Sequence, residues 1–356
     1  MRNKELADIR KRMPAEWEDQ EAVLMAWPHP DSDWGYIIDE ARMQFARIIG
    51  AMLLQGENVL VLSQEPDTTS RCVSEYMRSL GVEKFPDMGR HIVHVEHNDT
   101  WTRDYGPLCV ENPDDGKPLL LDFGFNAWGL KFPANLDNQV NARIKGKVFR
   151  SDAYVDCRDF ILEGGSVETD GRGTLLTTKE CLLNPNRNPT YTKDEIEGIL
   201  SDRLGFDRFL WLDHGHIDGD DTDSHIDTLA RLAPNDVICY SGGESEEMRL
   251  MEEQLMSFRT REGRPYDLVR LPEAAPIYDK GGVRMAATYA NFLVTPTAVY
   301  VPTYAQPEND IEALKKISEI YSDRNVVGVD CTTLIKQGGS LHCSTMQLVP
   351  GTLINS

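Results

Sequence analysis

The distribution of apolar residues predicts an alternation of strands and helices in the first hundred residues. Apolar side chains in residues 38–52 fall on one helical face, and Gly56 follows as a helix stop. A β-rich run at 59–62 comes next, followed by a second helix over 73–80. The stretch "HIVHVEH" at 91–97 has the period-two pattern of a strand.

The same alternation continues toward the C-terminus. Thr192 and Glu195 form a capping box that predicts a helix ending before Gly205. Further elements are predicted as strands at 208–212 and 325–329 and helices at 244–258 and 308–321. No low-complexity or Pro/Ser-rich linker interrupts the chain, so residues 1–356 are predicted to form one domain. The strand–helix spacing is typical of several similar α/β modules.

Composition narrows the possible partners. Acidic residues outnumber basic ones 58 to 37, for a formal charge of −21. This balance argues against nucleic-acid or anionic-membrane binding and weakly favours a cationic partner. The chain has no apolar run long enough for a membrane span, and its first twenty residues lack the apolar core of a signal peptide. Seven widely spaced cysteines without a C-x-x-C pair indicate reduced thiols, as in a cytoplasmic protein.

The first candidate site segment is "NDTWTRDYGP" at 98–107. Asp99 and Asp104 flank Trp101 directly after a predicted strand. An acid beside an aromatic plate can hold a planar cation, because the ring stacks and the carboxylate accepts the N–H donors. The alternative is a surface loop rich in turn-forming residues.

The second segment, "FILEGGSVETDGRGTLLTT" at 160–178, resembles a hairpin. Strands are predicted at 160–169 and 174–178, joined at Asp170-Gly171. Glu163 precedes two glycines, which marks either a site carboxylate or a bulge with a solvated side chain.

The third segment holds three histidines and six aspartates between Asp213 and Asp227. A metal site is one interpretation, although neither H-E-x-x-H nor a calcium-loop spacing is present. The other interpretation takes His225-Ile226-Asp227 as a strand, which would place His225 and Asp227 on one side around a common ligand.

The fourth segment is "GGSLHCSTM" at 338–346. A lone cysteine is most often an inert core residue, whereas a catalytic cysteine needs a nearby base. Either His225 or His342 could supply that base for Cys343. Gly338 and Gly339 would let the backbone approach a ligand closely.

These segments, in this order, resemble a known family. The motifs "MPAEWEDQEAVLMAWP", "NDTWTRDYGP", "FNAWGLKFP", "LEGGSVETDGRGTLLTTKECLLNPNRNP", "DTDSHIDTLARL", "TYANFL" and "GGSLHCSTMQ" closely resemble those of the agmatine deiminases, within the Porphyromonas-type peptidylarginine deiminase family. The likeness runs from about residue 13 to 349. It implies the guanidino-group-modifying superfamily, whose fold is an α/β propeller of five pseudo-symmetric ββαβ modules.

The resemblance also implies roles for individual residues. Cys343 would be the nucleophile and His225 the general acid and base. Asp104 and Asp227 would grip the guanidinium, and Glu163 would hold His225 in orientation.

Two further residues are implied in substrate binding. Trp101 would stack near the substrate, and Gly339 would line its site. The family often has "GGGNIHC" where this chain has "QGGSLHC", a difference that bears on fine specificity rather than on the nucleophile.

The implied reaction is hydrolysis of agmatine to N-carbamoylputrescine and ammonia through a covalent S-alkylthiouronium intermediate, in putrescine synthesis, with no metal or organic cofactor. The enzyme would be cytoplasmic, with no nucleic-acid or membrane partner, and a homo-oligomer is possible. Three alternatives remain: an arginine or peptidyl-arginine deiminase, a metal-dependent hydrolase built on His214, His216 and His225, and a non-catalytic module that binds polyamine-like cations.

Overall fold

The computed structural model describes residues 9–354 and shows a mixed α/β fold. The strands of this part of the chain are β1 (Ala22–Ala26), β2 (Val59–Ser63), β3 (Ile92–His94), β4 (Leu108–Glu111), β5 (Pro118–Gly124), β6 (Tyr154–Ile161), β7 (Glu168–Thr169), β8 (Thr174–Thr178), β9 (Arg208–Leu212), β10 (Ala230–Ala233), β11 (Val237–Ser241), β12 (Asp267–Leu271), β13 (Leu293–Val294), β14 (Ala298–Thr303), β15 (Asn325–Asp330) and β16 (Met346–Leu348). The helices are α1 (Ile38–Leu54), α2 (Pro66–Ser79), α3 (Thr102–Tyr105), α4 (Ala127–Leu130), α5 (Val140–Ile144), α6 (Lys179–Leu182), α7 (Lys193–Leu204), α8 (Ile226–Leu229), α9 (Glu246–Ser257) and α10 (Pro307–Ile320).

The strands form five sheets that share one pattern. In four of them an antiparallel pair is followed by a parallel partner reached through a helical connection: β4-β5-β6, β7-β8-β9, β10-β11-β12 and β13-β14-β15. The fifth sheet has the order β16-β1-β2-β3. Its antiparallel pair joins β1 to β16, so residues more than 300 positions apart complete the same unit.

Helix formation follows the local signals in the sequence. In α1, Ala41, Phe45 and Ile48 are buried on one face, as their spacing requires. Helix α7 begins with the capping box of Thr192 and ends at Gly205, whose φ of 81° lies in the left-handed region. The predictions of α1, α7, α9 and α10 are confirmed.

Several predicted boundaries are wrong. Helix α2 begins at Pro66 rather than 73, and the strand predicted at 91–97 is reduced to Ile92–His94. The predicted strand at 160–169 is broken by a 3₁₀ turn at Gly164–Ser166. His225 and Asp227 do not belong to a strand, because His225 caps helix α8.

A large apolar cluster joins residues from Met13 to Val349, and a smaller one packs around β9, β10 and α9. No helix in residues 9–354 is both long and apolar enough to cross a membrane. Of the predicted domain 1–356, the first eight and last two residues lie outside the described part, as does most of the predicted charged N-terminal start.

Candidate active site

A cavity of about 250 Å³ gathers residues from three of the four candidate segments. Trp101 and Asp104 come from the first segment, and Gly339 and Cys343 from the last. The third segment contributes Thr222, three residues before His225. The structure therefore brings together sequence regions separated by more than 200 residues.

Cys343 lies in a 3₁₀ turn, His342–Ser344, at one wall of this cavity. The hydroxyl of Thr102 donates to the carbonyls of Leu24 and Ser344, 3.0 Å each, which fixes this turn against α3 and β1. The Cys343 Sγ is 3.3 Å from Asn291 Nδ2 and 3.8 Å from a carboxylate oxygen of Asp227. Burial, together with the nearby carboxylates, raises the pKa of Cys343 well above its usual value.

Asp104 projects from the short helix α3 and is held by two donors. The indole N–H of Trp128 and the backbone N–H of Gly165 each donate to it at 3.0 Å. Burial raises the pKa of Asp104 well above its usual value, and the charge of Asp227 adds to this effect. The carboxylate is thus oriented but lacks a counter-ion.

The segment that supplies Trp128 is conformationally unusual. Ala127, Trp128 and Leu130 all have left-handed φ angles between 51° and 65°. Such conformations cost free energy for residues with a side chain and are concentrated at functional sites. Here the strained turn directs the indole N–H toward Asp104.

The two glycines after Glu163 are explained by crowding. A Cβ on Gly165 would lie 2.4 Å from Nδ1 of His225 and 2.9 Å from Asp104. A Cβ on Gly164 would lie 2.1 Å from the carbonyl oxygen of Arg103. Only glycine therefore lets this backbone pass between the acid and the imidazole.

His225 is buried, with 1% of its surface exposed, and neither ring nitrogen has a hydrogen-bond partner. Its backbone N–H donates to the hydroxyl of Thr222, and its Nδ1 lies 3.6 Å from Asp104 Oδ1. Burial lowers the pKa of His225 to about 4, although Asp227 opposes this shift. The ring is therefore neutral near pH 7 and is able to accept a proton.

Asp227 has a different environment. Its Oδ2 lies 2.8 Å from Nδ1 of His342, while its Oδ1 is buried without a partner. Burial works against ionisation of Asp227, but the hydrogen bond and charge of His342 overcome it and lower the pKa of this carboxyl. On the other side of the ring, His342 Nε2 lies 2.7 Å from Glu16 Oε2.

Comparisons with known proteins agree with this arrangement. The model of the Porphyromonas-type peptidyl-arginine deiminase family matches residues 12–349. The chain belongs to this family.

Individual relatives cover nearly the whole chain. A crystal structure described as a "putative peptidyl-arginine deiminase" is 44% identical, with a TM-score of 0.86, over 96% of this chain and 99% of the other. A C. jejuni agmatine deiminase, a cysteine-to-serine variant with substrate bound, is 32% identical, with a TM-score of 0.82, over 96% and 97%. A Shewanella sp. (strain MR-4) protein named "putative agmatine deiminase" is 34% identical over 95% of this chain and 94% of its own.

Glu163 in this deiminase-family chain is tied to a cation. Arg187 Nε donates to Glu163 Oε1 at 2.8 Å, both side chains are fully buried, and Arg187 also contacts Asp223. Burial raises the pKa of Glu163 despite Arg187. A Glu163 oxygen, Cys181 Sγ and a His225 nitrogen lie within 4.8 Å of one another. Glu163 makes no hydrogen bond to His225, which was its predicted partner.

The aspartate-rich loop before His225 is used for local structure. Asp220 accepts hydrogen bonds from Thr222 and Ser224, and Asp223 pairs with Lys131 as well as Arg187. His214 lies beside Glu247 at the surface. Among the described residues, the cluster with metal-ligating potential gathers His225 with Glu163 and Cys181, not with the other two histidines.

Four residues of the family site were missed by sequence reasoning. Asn291, Trp128 and Glu16 occur in motifs that carried the family resemblance, "TYANFL", "FNAWGLKFP" and "MPAEW". The fourth, Arg187, follows the E-G-G stretch by about twenty residues. Their motif membership was the available signal, but only the fold shows which side chain each one contacts.

Proposed function

We propose that this chain is an agmatine deiminase that hydrolyses agmatine to N-carbamoylputrescine and ammonia, as part of putrescine synthesis. The observation that carries the proposal is the cavity in which Cys343, Asp104 and Trp101 meet. A nucleophile, a carboxylate and an aromatic plate in one cavity are the groups that a planar guanidinium requires.

Substrate binding would use the two buried carboxylates. Asp104 and the unpartnered Oδ1 of Asp227 accept N–H donors from the guanidinium and fix its plane, while Trp101 stacks on it. The cation also offsets the like charge that the two carboxylates place beside Cys343. Binding thus favours the thiolate in a site where burial alone disfavours it.

The chemistry then proceeds in two halves. The thiol proton of Cys343 passes to the neutral imidazole of His225, and Sγ attacks the guanidinium carbon. The tetrahedral adduct expels ammonia, which takes the proton from His225 and leaves an S-alkylthiouronium. His225 then removes a proton from water, which attacks the same carbon, and the thiolate leaves with the ureido product released.

Glu163 is assigned to positioning His225. It lies within reach of the ring but is neutralised by Arg187 in the unliganded site. Asn291, whose amide contacts Cys343 Sγ, is assigned to orienting the thiol. Gly339 is assigned to the cavity wall, since a Cβ there would lie 2.4 Å from the Trp101 ring.

The charge of the cavity favours agmatine over free arginine. Besides Asp104, four aspartates line it: Asp33, Asp99, Asp221 and Asp279. Its two cationic lining residues are already paired, Arg284 with Asp218 and Lys336 with Glu40. Within the described lining, carboxylates therefore await the ammonium of agmatine, whereas an α-carboxylate would compete for occupied cations.

The wider organisation is also part of the proposal. Five sheets with one repeated pattern, the first completed by β16, support a single catalytic domain arranged as a five-bladed α/β propeller. All seven cysteines are free, which supports a cytoplasmic location.

The test is ammonia release from agmatine, arginine and an arginyl peptide assayed in parallel. Agmatine is expected to be the preferred substrate, with activity that survives EDTA and is abolished by a thiol reagent. Cys343→Ala should be inactive and folded, whereas Cys239→Ala, a buried thiol in the sheet core, should keep its activity. Turnover by Cys343→Ala would rule out the nucleophile, and preference for the peptide would reassign the substrate.

A further inference from the structure

His342 sits between two carboxylates that come from distant parts of the chain. Its Nδ1 lies 2.8 Å from Asp227 Oδ2 and its Nε2 lies 2.7 Å from Glu16 Oε2. The ring is 1% exposed. An ionised carboxylate can only accept a hydrogen bond, so each ring nitrogen has to donate. A ring that donates from both nitrogens carries two protons.

We propose that His342 is a permanently protonated positioning residue that keeps Asp227 ionised and turned toward the substrate. This role rests on the proposed deiminase function, because it acts through the carboxylate that binds the guanidinium. It also explains why His342, although adjacent to Cys343, is not its base. Neither nitrogen is free to accept the thiol proton.

The orientation of Asp227 is the first support. His342 occupies Oδ2, and the other oxygen, Oδ1, is buried without a partner. A buried orphan acceptor is costly unless a ligand satisfies it. Fixing one oxygen on His342 thus leaves the second aimed at a donor that arrives with the substrate.

The anchoring of Glu16 is the second support. Arg231 Nη2 donates to Glu16 Oε2 at 2.7 Å, and Arg103 Nη2 lies 3.9 Å from the same oxygen. Burial opposes ionisation of Glu16, but Arg231 and then His342 overcome it and hold the pKa of this carboxyl well below its usual range. Glu16 therefore stays charged and keeps its hold on the ring.

The charges around the ring balance only with the second proton. The charged and titratable groups facing it from the packed elements are Glu16, Arg103, Asp104, Glu168, His225, Asp227, Arg231 and Cys343. In the part of this cluster remote from substrate, three carboxylates, Glu16, Asp227 and Glu168, face two guanidinium groups, Arg103 and Arg231. An imidazolium at His342 brings this set to neutrality. Burial raises the pKa of Glu168 to about 7 against Arg231, so Glu168 is the one member that titrates nearby.

The test compares His342→Gln with a matched control, His97→Gln. His97 is also fully buried, but its nitrogens face the backbone carbonyls of Trp27 and Val95, away from the cavity. In His342→Gln, Asp227 loses its cation, so the acidic limb of the pH profile of kcat/KM for agmatine should move up by about one unit or more. Activity at pH 7 should fall about 10- to 100-fold and recover as the pH rises. KM should change more than kcat.

The control separates this role from a structural one. His97→Gln should keep the wild-type position of the acidic limb, even if its stability falls. A uniform loss in His342→Gln at every pH, with the limb in place, would overturn the proposal. Since Glu168 also titrates near 7, Glu168→Gln in both backgrounds should leave the limb shift in place, and loss of the shift would assign it to Glu168 and overturn the role of His342.

A second measurement needs neither substrate nor a folded His342 variant. In ¹⁵N-labelled wild-type protein, the ring that responds to Glu16→Gln should show two protonated nitrogens at pH 7 and should lose one of those protons in Glu16→Gln. An unprotonated nitrogen in the wild-type ring would contradict the proposal. If the wild type releases no ammonia from agmatine at any pH, the proposed function fails, while the spectrum still decides the protonation state.

Discussion

Two buried imidazoles flank the candidate nucleophile, and their surroundings are opposite. His225 has no hydrogen-bond partner on either nitrogen. His342 has a carboxylate on each. Both rings are almost completely buried, so solvent does not account for the difference.

The contrast separates a working group from a supporting one. Leaving two polar atoms of a buried ring unsatisfied costs free energy, and a protein tolerates that cost where a ligand later supplies the partners. Satisfying both nitrogens fixes a ring and removes it from proton transfer. The same distinction applies to the two carboxylates: Asp104 lacks a counter-ion and has a raised pKa, whereas Asp227 has one and a lowered pKa.

The largest effect is expected from His225→Gln. Loss of the general acid and base should lower kcat about 10²- to 10⁴-fold. The thermal midpoint should change little, because the ring has no hydrogen bonds to lose. Steady-state ammonia release and calorimetry on one preparation measure both quantities. Wild-type turnover in this variant would remove His225 from the mechanism.

Asp227→Asn should have the largest effect on stability. The substitution leaves His342 with a buried charge that lacks half of its compensation, at a cost of about 3 kcal/mol. Urea unfolding at pH 7 measures it. Adding Glu16→Gln should increase the cost by less than its own single effect, since the two carboxylates share one ring. Strict additivity would contradict the shared role.

Asp104→Asn should change stability in the other direction. The pKa of Asp104 is raised in the fold, mainly by burial, so its contribution is fully favourable below the ordinary carboxyl pKa of about 3.9 and is lost as the pH rises through the folded value. The variant lacks this loss, and the amide oxygen can still accept from Trp128. At pH 7 it should be more stable by on the order of 1 kcal/mol, with a smaller gain near pH 4, and inactive.

The smallest effect is expected four residues before His225. Burial raises the pKa of Asp221 despite nearby Lys131, so an ammonium beside it would gain from the charge. Asp221→Asn should raise KM for agmatine about three- to tenfold, the range of a partly exposed ion pair. n-Butylguanidine, which lacks the ammonium, should be unaffected. Equal losses on both substrates would remove Asp221 from tail recognition.

Much of this arrangement follows from local sequence signals. The face of α1, the capping box of α7 and the strand at 325–329 were predictable because each depends on residues close in the chain. The motif order was enough to predict the family and the site residues that now meet near one cavity. His225-Ile226-Asp227 was misjudged as a strand, because an alternating triplet also fits a helix N-terminus, and short patterns do not distinguish the two.

The supporting contacts were not predictable in the same way. Nothing near His342 in the sequence indicates Glu16, which lies 326 residues away. The pairing of Glu163 with Arg187 and of Trp128 with Asp104 likewise depends on how separate sheets approach one another. Sequence patterns predicted which side chains carry the chemistry, whereas their electrostatic state required the fold.

The pairing of β1 with β16 bears on the order of events during biosynthesis. Residues 22–24 leave the ribosome more than 300 residues ahead of their partners at 346–348. The first sheet therefore waits with an open edge while the other four form, and Cys343 and its neighbours are delivered with the closing strand. A nascent chain would acquire its reactive thiol and its finished core in one late step, which would protect the cell from a partly folded enzyme with an active nucleophile.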